Sequence, residues 1–114
     1  MRAILLLSIC VTMVFTATWN VTFQTPDGIL PPITCPDDQY ILDCGLVNGI
    51  NLPYSPCRCG YDSTSTAILS KGTVDQSDQI YLSDAQIANG FVLLEVAYAT
   101  SDCIIITNQE GALY

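Results

Sequence analysis

Six cysteines within 114 residues constrain the fold of this chain more than any other feature of its sequence. One of them, Cys10, lies in an apolar N-terminal run, and the remaining five are Cys35, Cys44, Cys57, Cys59 and Cys103. In an oxidising compartment, the cysteines of a small domain form disulfides that compensate for a limited hydrophobic core. Because five is an odd number, two disulfides leave one cysteine unpaired, and the sequence leaves the pairing open.

The pair Cys57 and Cys59 is separated only by Arg58. Side chains two residues apart on an extended chain point to the same side, and a bond between them would be strained, so each is expected to pair with a more distant cysteine. The unpaired thiol has four interpretations: a buried inert residue, the link of a disulfide-linked dimer, a reactive thiol beside Arg58, or the partner of a cysteine beyond Tyr114 in a longer gene product. No zinc site is expected, because the spacings among the four cysteines before Cys103 do not give two close pairs.

The N-terminus has the pattern of a secretory signal peptide. Arg2 precedes an apolar run, residues 3–17, that contains only three polar side chains. A basic residue followed by about 7–15 apolar residues is typical of an export signal, whereas a membrane-spanning helix needs about 20. The sequence therefore predicts a signal peptide over residues 1–18, with an uncleaved anchor as the alternative. Residues 19–114 are predicted to form a single small β domain that is secreted and, once cleaved, free of the membrane.

Alternation of apolar and polar residues predicts an all-β fold. Residues 19–25 alternate, and residues 39–47 form a second apolar segment before Asn48-Gly49, a dipeptide typical of hairpin turns. A capping box beginning at Ser83 predicts one short helical turn. The remaining strands are predicted over residues 64–70, 79–83, 91–99 and 103–107, the last two forming a hairpin at the centre of the core. The sum is a small disulfide-stapled antiparallel sandwich or barrel of about six to seven short strands.

Composition excludes several classes of function. The chain has no histidine, which removes Ser-His-Asp and Cys-His catalysis, and no other catalytic motif is recognisable. Three basic residues against eleven acidic ones argue against nucleic-acid binding, which draws on clusters of lysine and arginine. The sequence therefore predicts a protein that is not an enzyme and that has no cofactor, no metal site and no nucleic-acid partner.

The candidate sites lie on the predicted surface. Asn20 begins the sequon Asn20-Val21-Thr22 and is a candidate for N-glycosylation. Tyr54, Arg58 and Tyr61 lie in or beside the cysteine-bearing loop, and they form a candidate contact surface because tyrosine and arginine are enriched at interfaces. These features predict an extracellular binding or structural protein with an unidentified protein or glycan partner.

Two alternative functions stay open at this point. A rigid loop from Pro53 to Gly60 would suit a secreted inhibitor or effector that inserts into the cleft of another protein. Glu95 lies inside an otherwise apolar run, and a small hydrolase would use it together with a second carboxylate in one pocket.

Overall fold

The computed structural model describes residues 16–114, so the predicted leader lies almost wholly outside the described residues. None of the helices in this part of the chain is long and apolar enough to cross a membrane. Its strands are β1 (Thr18–Thr25), β2 (Gly28–Ile29), β3 (Ile33–Pro36), β4 (Thr66–Lys71), β5 (Val74–Asp75), β6 (Phe91–Leu93), β7 (Tyr98–Ala99) and β8 (Cys103–Ile106). Its α-helices are α1 (Ile41–Val47) and α2 (Asp84–Ala88), and short 3₁₀ turns lie at Leu94–Val96 and Glu110–Leu113.

A mixed sheet forms the centre of the molecule. Its strand order is β2-β1-β8-β4-β6, and β3 pairs with β1 on the same side as β2. Strands β1 and β8 run parallel, with Val21 opposite Cys103 and Phe23 opposite Ile105, and the other pairs of this sheet are antiparallel. A parallel pair needs a long crossover connection, which here contains both helices. The prediction of an all-β antiparallel sandwich or barrel is therefore wrong, and the fold is mixed α/β.

The segment over residues 39–47, predicted to be a strand, contains helix α1. The buried residues of this helix are Ile41, Leu42, Cys44 and Gly45. Their spacing places them on one side of a helix. The prediction of a strand over this segment is therefore wrong. Asn48 and Gly49 end the helix instead of forming a hairpin. Gly49 has φ +80°, a conformation that glycine adopts readily just beyond a helix C-terminus.

Helix α1 packs directly on the sheet at Gly45. A Cβ at this position would lie 2.5 Å from Leu52 Cδ1 and 3.5 Å from the ring of Phe23. Val21 and Phe23 are fully buried, which confirms the predicted strand over residues 19–25 and its inward face. The packing of α1 at this point therefore depends on a glycine that leaves room for the Leu52 side chain, and the Phe23 ring of β1 lies at van der Waals distance from the same position.

In the C-terminal half, the structure confirms the predicted capping box and contradicts the predicted strand before it. The capping box is confirmed, because the Ser83 side chain accepts from the backbone N–H of Gln86 and the Gln86 side chain accepts from that of Ser83. Residues 79–83 are not a strand. The Gln79 side chain folds back and accepts hydrogen bonds from the backbone N–H groups of Tyr81 and Leu82, at 2.9 and 2.6 Å.

The predicted hairpin of residues 91–99 and 103–107 is also wrong. Strand β6 ends at Leu93, and the chain turns through the 3₁₀ segment Leu94–Val96 before β7. Strand β8 pairs with β1 and β4, so the two segments do not form a hairpin with each other. The turn between β6 and β7 matters for the functional site, because it carries Glu95.

The structure joins Cys35 to Cys44, which links β3 to α1. Cys103 is the free cysteine among the described residues, and it is buried on β8. Its thiol donates hydrogen bonds to the backbone oxygens of Thr73 and Ser101, and burial raises the pKa of this thiol. A buried thiol is not placed to link two chains, so the structure gives no support to a disulfide-linked dimer through Cys103.

Replacing both Cys35 and Cys44 by serine is expected to lower the free energy of unfolding by about 2.5 kcal/mol, because the bond closes a loop of about ten residues in the unfolded chain. Replacing both Cys57 and Cys59 is the matched control, with an expected loss of about 1.5 kcal/mol for a much shorter loop. Urea denaturation without reductant measures both values. Equal losses in the two variants would contradict the loop-length explanation.

Candidate functional site

A buried carboxylate marks the functional site. Glu95 is only 1% exposed and lies in the 3₁₀ turn between β6 and β7. Its Oε2 accepts hydrogen bonds from the backbone N–H of Ser55 at 2.6 Å and from the hydroxyl of the same residue at 2.9 Å. Its Oε1 accepts from the backbone N–H of Gly60 at 2.9 Å and from the Ser55 hydroxyl at 3.0 Å. A buried carboxylate is tolerated only with such a set of donors, so these contacts fix the loop around it.

The segment from Ser55 to Ser65, here called the site loop, is held by the Glu95 turn at both ends. Beyond the contacts at Ser55 and Gly60, the backbone N–H of Glu95 donates to Ser65 Oγ at 3.4 Å. The backbone N–H of Leu94 donates to the Ser65 carbonyl oxygen at 3.3 Å. Ser65 is buried and directly precedes β4, so the sheet sets the position of this end of the loop.

Gly60 lets the site loop approach the Glu95 turn. Its φ is +73°, and a Cβ there would lie 2.7 and 2.8 Å from the two γ-methyl carbons of Val96. A residue with a side chain would both strain the backbone and collide with Val96. The N–H of Gly60 reaches Glu95 because this position has no side chain.

Cys57 and Cys59 are exposed in the site loop, and the structure joins them to each other. The sequence analysis expected each of them to pair elsewhere, which the structure contradicts. Arg58 between them has φ +54°, so the chain is turned at this point and is not extended as that expectation assumed.

The predicted contact residues come together only in part. The Arg58 guanidinium lies 4.7 Å from the centre of the Tyr54 ring, and its Nη1 lies 3.2 Å from Asp43 Oδ1 of α1. Tyr61 is exposed, and the structure records no contact between it and either of those residues. Asn20 is exposed on β1.

Glu95 does not form the carboxylate pair that a hydrolase requires. Its side-chain partners are the backbone and hydroxyl of Ser55 and the backbone of Gly60, with no second carboxylate among them. The geometry gives Glu95 a positioning role in the loop.

Three acidic side chains surround the site loop at the protein surface. Asp43 Oδ1 pairs with Arg58, and Asp62 Oδ1 accepts from the Thr64 backbone N–H at 3.0 Å. Glu110, in the C-terminal 3₁₀ turn, accepts a hydrogen bond from the Ser63 hydroxyl. Three carboxylates and the Arg58 guanidinium therefore lie around the site loop, in keeping with the eleven acidic and three basic residues of the chain.

Comparison with known proteins identifies the family. The chain is 43% identical over 95 residues to chloroplastic ferredoxin-6 of Zea mays, covering 83% of this chain and 61% of that protein. It is 47% identical over 77 residues to a heterocyst ferredoxin of Microchaete diplosiphon, covering 68% of this chain and 77% of that protein. No protein-family model matches the chain. The chain belongs to the ferredoxin family, although it spans under two thirds of the length of the maize relative.

Solved structures agree with this assignment. A crystal structure of pectocin M2 superposes with a TM-score of 0.77 at 43% identity, over 86% of this chain and 36% of that one. The ferredoxin reductase in carbazole 1,9a-dioxygenase superposes with a TM-score of 0.70 at 28% identity, over 83% of this chain and 28% of that one. In both cases the similar part is one segment of a longer protein.

Family membership corrects the functional predictions made from the sequence. The relatives are ferredoxins of a chloroplast and of heterocysts, so the predictions of a secreted, extracellular location, of a glycoprotein and of a binding or structural β module are wrong. The alternatives of a secreted inhibitor and of a hydrolase are wrong for the same reason. Ferredoxins are electron carriers and not enzymes, which agrees with the prediction of a non-enzyme.

The residues of the site loop do not fit a plant-type [2Fe–2S] cluster. Such a cluster is held by four cysteine thiolates, three of them in the spacing C-x₄-C-x₂-C. Counted from Cys57, this spacing falls on Asp62 and Ser65, and counting from Cys59 finds no cysteine either. The more distant segment that reaches the loop presents Glu95. Within residues 16–114 no three or more potential ligands of the His, Cys, Asp and Glu types are grouped so as to hold a metal ion.

Sequence reasoning missed this site for a definite reason. The cysteine spacing that would identify the family is absent, so the loop presents no motif. Ser55, Gly60 and Ser65 carry no signal of a functional site in the sequence. They form part of a site because the fold places Glu95 among them. The one local signal was an acidic residue within an apolar run, which indicates a buried position but not its partners.

Proposed function

We propose that this chain acts in ferredoxin-dependent electron transfer as a docking protein, which occupies the surface of a redox enzyme that a cluster-bearing ferredoxin would otherwise use. The observation that carries the proposal is a ferredoxin-family chain with acidic residues around a loop that lacks the C-x₄-C-x₂-C spacing and is held by the Glu95 carboxylate. Such a protein binds the same partner but passes it no electron through a plant-type cluster.

The fold suggests the class of partner. Structural neighbours include a ferredoxin reductase, in one case described as its FAD-free form, and a phthalate dioxygenase reductase that transfers electrons from pyridine nucleotides to [2Fe–2S]. The second of these, at 17% identity and a TM-score of 0.61, supports the fold alone. An FAD-containing ferredoxin reductase with a basic docking surface is therefore the proposed partner class.

Acidic side chains at the protein surface would supply the attraction. Asp43, Asp62 and Glu110 lie on α1, in the site loop and in the C-terminal turn, so they surround the loop from three elements. Charges at the rim of an interface mainly accelerate association and make binding sensitive to salt. The complex is expected to weaken as ionic strength rises.

A competition assay tests the proposal. A reductase of this class reduces a conventional [2Fe–2S] ferredoxin, and the present protein is added as a competitor. We expect the apparent KM for the conventional ferredoxin to rise with the concentration of competitor while kcat is unchanged, because both proteins bind one surface. An unchanged KM at concentrations far above that of the ferredoxin would refute the proposal, as would reduction of the competitor itself.

Charge removal around the loop gives a quantitative prediction. The variant Asp43→Asn/Asp62→Asn/Glu110→Gln is expected to raise the inhibition constant about tenfold, since each exposed charge contributes about 0.5 kcal/mol. Its matched control, Asp27→Asn/Asp75→Asn/Asp84→Asn, removes the same charge from exposed positions that make no contact with the site loop. An equal effect in both variants would mean that net charge alone determines binding, which would contradict a defined docking face.

A further inference from the structure

The arrangement around Glu95 has a consequence that does not depend on any partner. We infer that the Glu95 carboxylate is the anionic group that organises the site loop in place of an iron–sulfur cluster, so that this ferredoxin-family chain reaches its native fold in an iron-free form. The inference concerns folding and iron content, and its tests use this chain alone, so loss of docking to a reductase would leave it unaffected.

The first support is the convergence of donors on one side chain. The N–H groups of Ser55 and Gly60 lie five residues apart in sequence, yet each donates to a different oxygen of the same carboxylate. The Ser55 hydroxyl donates to both oxygens. Buried backbone N–H groups need acceptors, and in this loop Glu95 supplies those acceptors from a distant part of the chain.

The second support is that the same turn also fixes the far end of the loop. Two backbone N–H groups, those of Leu94 and Glu95, donate to Ser65. The side chain of Val96 packs against Gly60. Residues 94–96 therefore contact the beginning, the middle and the end of the site loop.

The third support is the chemistry of the positions at which thiolates would be needed. Ser65 is an acceptor for the Glu95 backbone, and Asp62 is an acceptor for the Thr64 backbone. The thiols of the loop, Cys57 and Cys59, are exposed and joined to each other. Each of these groups already has a partner within the protein, and a cluster of the plant type would need four thiolates here.

Hydrogen exchange of the full-length chain provides the first test. A glutamine at position 95 presents one oxygen and one NH₂ group, so it offers no acceptor to one of the two backbone N–H groups, that of Ser55 or that of Gly60, which donate to different oxygens of the glutamate. We expect Glu95→Gln to accelerate exchange of at least one of these two amides by about tenfold or more. The control Glu110→Gln, an exposed glutamate that also touches the loop, is expected to change neither amide. Unchanged exchange in Glu95→Gln would overturn the inference.

Iron incorporation provides the second test, in which a variant is expected to gain the ability to bind iron that the natural chain lacks. The natural chain and the variant Cys59→Ala/Asp62→Cys/Ser65→Cys/Glu95→Cys are incubated anaerobically with ferric iron and sulfide, and bound iron and visible absorption are measured. The variant has thiolates at 57, 62 and 65 in the C-x₄-C-x₂-C spacing and a fourth at 95. We expect about two iron atoms per variant chain and none per natural chain.

A control variant isolates the role of the fourth position. Cys59→Ala/Asp62→Cys/Ser65→Cys retains Glu95 and is expected to take up less iron than the four-substitution variant. Two iron atoms bound per natural chain, or a natural chain that is unfolded by circular dichroism until iron is added, would overturn the inference. Failure of the four-substitution variant to bind iron would also overturn it, because position 95 would then not be the place of a cluster ligand.

Discussion

Phe23→Ala is expected to lower the free energy of unfolding by about 3–5 kcal/mol, the largest effect of any single substitution considered for this protein. Phe23 is fully buried on β1, next to the parallel strand β8 and against the backbone of Gly45 in α1. Removal of its ring would leave a cavity between the sheet and the helix, because Gly45 has no side chain that could fill it. Urea denaturation followed by circular dichroism measures the loss.

The control for this prediction lies on the neighbouring strand. Ile29 on β2 is 71% exposed, and Ile29→Ala is expected to change stability by less than about 0.5 kcal/mol. A loss below about 1.5 kcal/mol for Phe23→Ala would contradict the account of the core, since it would mean that the helix relaxes freely onto the sheet.

Gly60→Ala is expected to cost about 3 kcal/mol, from two separate causes. The left-handed backbone conformation at φ +73° costs a residue with a side chain about 1–2 kcal/mol, and overpacking against Val96 adds about 1–3 kcal/mol. The site loop would move away from the Glu95 turn to relieve the collision. Denaturation reports the stability loss, and exchange of the residue-60 amide reports the separation from Glu95.

Two further variants separate the causes of the Gly60 effect. Gly49 has φ +80° but no atom within 4 Å of a Cβ, so Gly49→Ala should show the conformational cost alone. Adding Val96→Ala to Gly60→Ala removes the colliding methyl carbons, and the double variant should lose less than the sum of the two single losses. Equal losses in Gly49→Ala and Gly60→Ala, together with additivity in the double variant, would exclude close packing as a cause.

Local sequence patterns predicted those elements whose structure depends on neighbouring residues. Strand β1 followed from its alternation, and the capping box at Ser83 followed from hydrogen bonds within four residues. Helix α1 was missed because its seven residues are mostly apolar, and a short apolar segment does not distinguish a strand from a helix. The end of this helix at Gly49 was predicted to be a hairpin turn, because glycine with positive φ occurs both at helix C-termini and in hairpin turns.

Strand pairings and contacts between distant residues were not predicted, because local sequence patterns carry no information about them. The segment that begins at Cys103 was predicted to form one strand of a terminal hairpin. In the structure this segment is β8, and it pairs with β1, which is more than seventy residues earlier. The number of cysteines favoured the prediction of an exported protein with disulfide cross-links, whereas the chain belongs to the ferredoxins. The misinterpretation arose because the family's cysteine spacing is not present.

The amino-acid sequence was sufficient to establish the excess of acidic residues, the absence of histidine chemistry, the strand around Phe23 and the capped turn at Ser83. These properties depend on composition or on contacts between close neighbours. Only the tertiary structure decided the parallel pairing of β1 with β8 and the closure of the site loop around Glu95. A carboxylate within an apolar segment can be buried only where donors converge on it, and those donors come from a loop thirty-five to forty residues earlier in the chain.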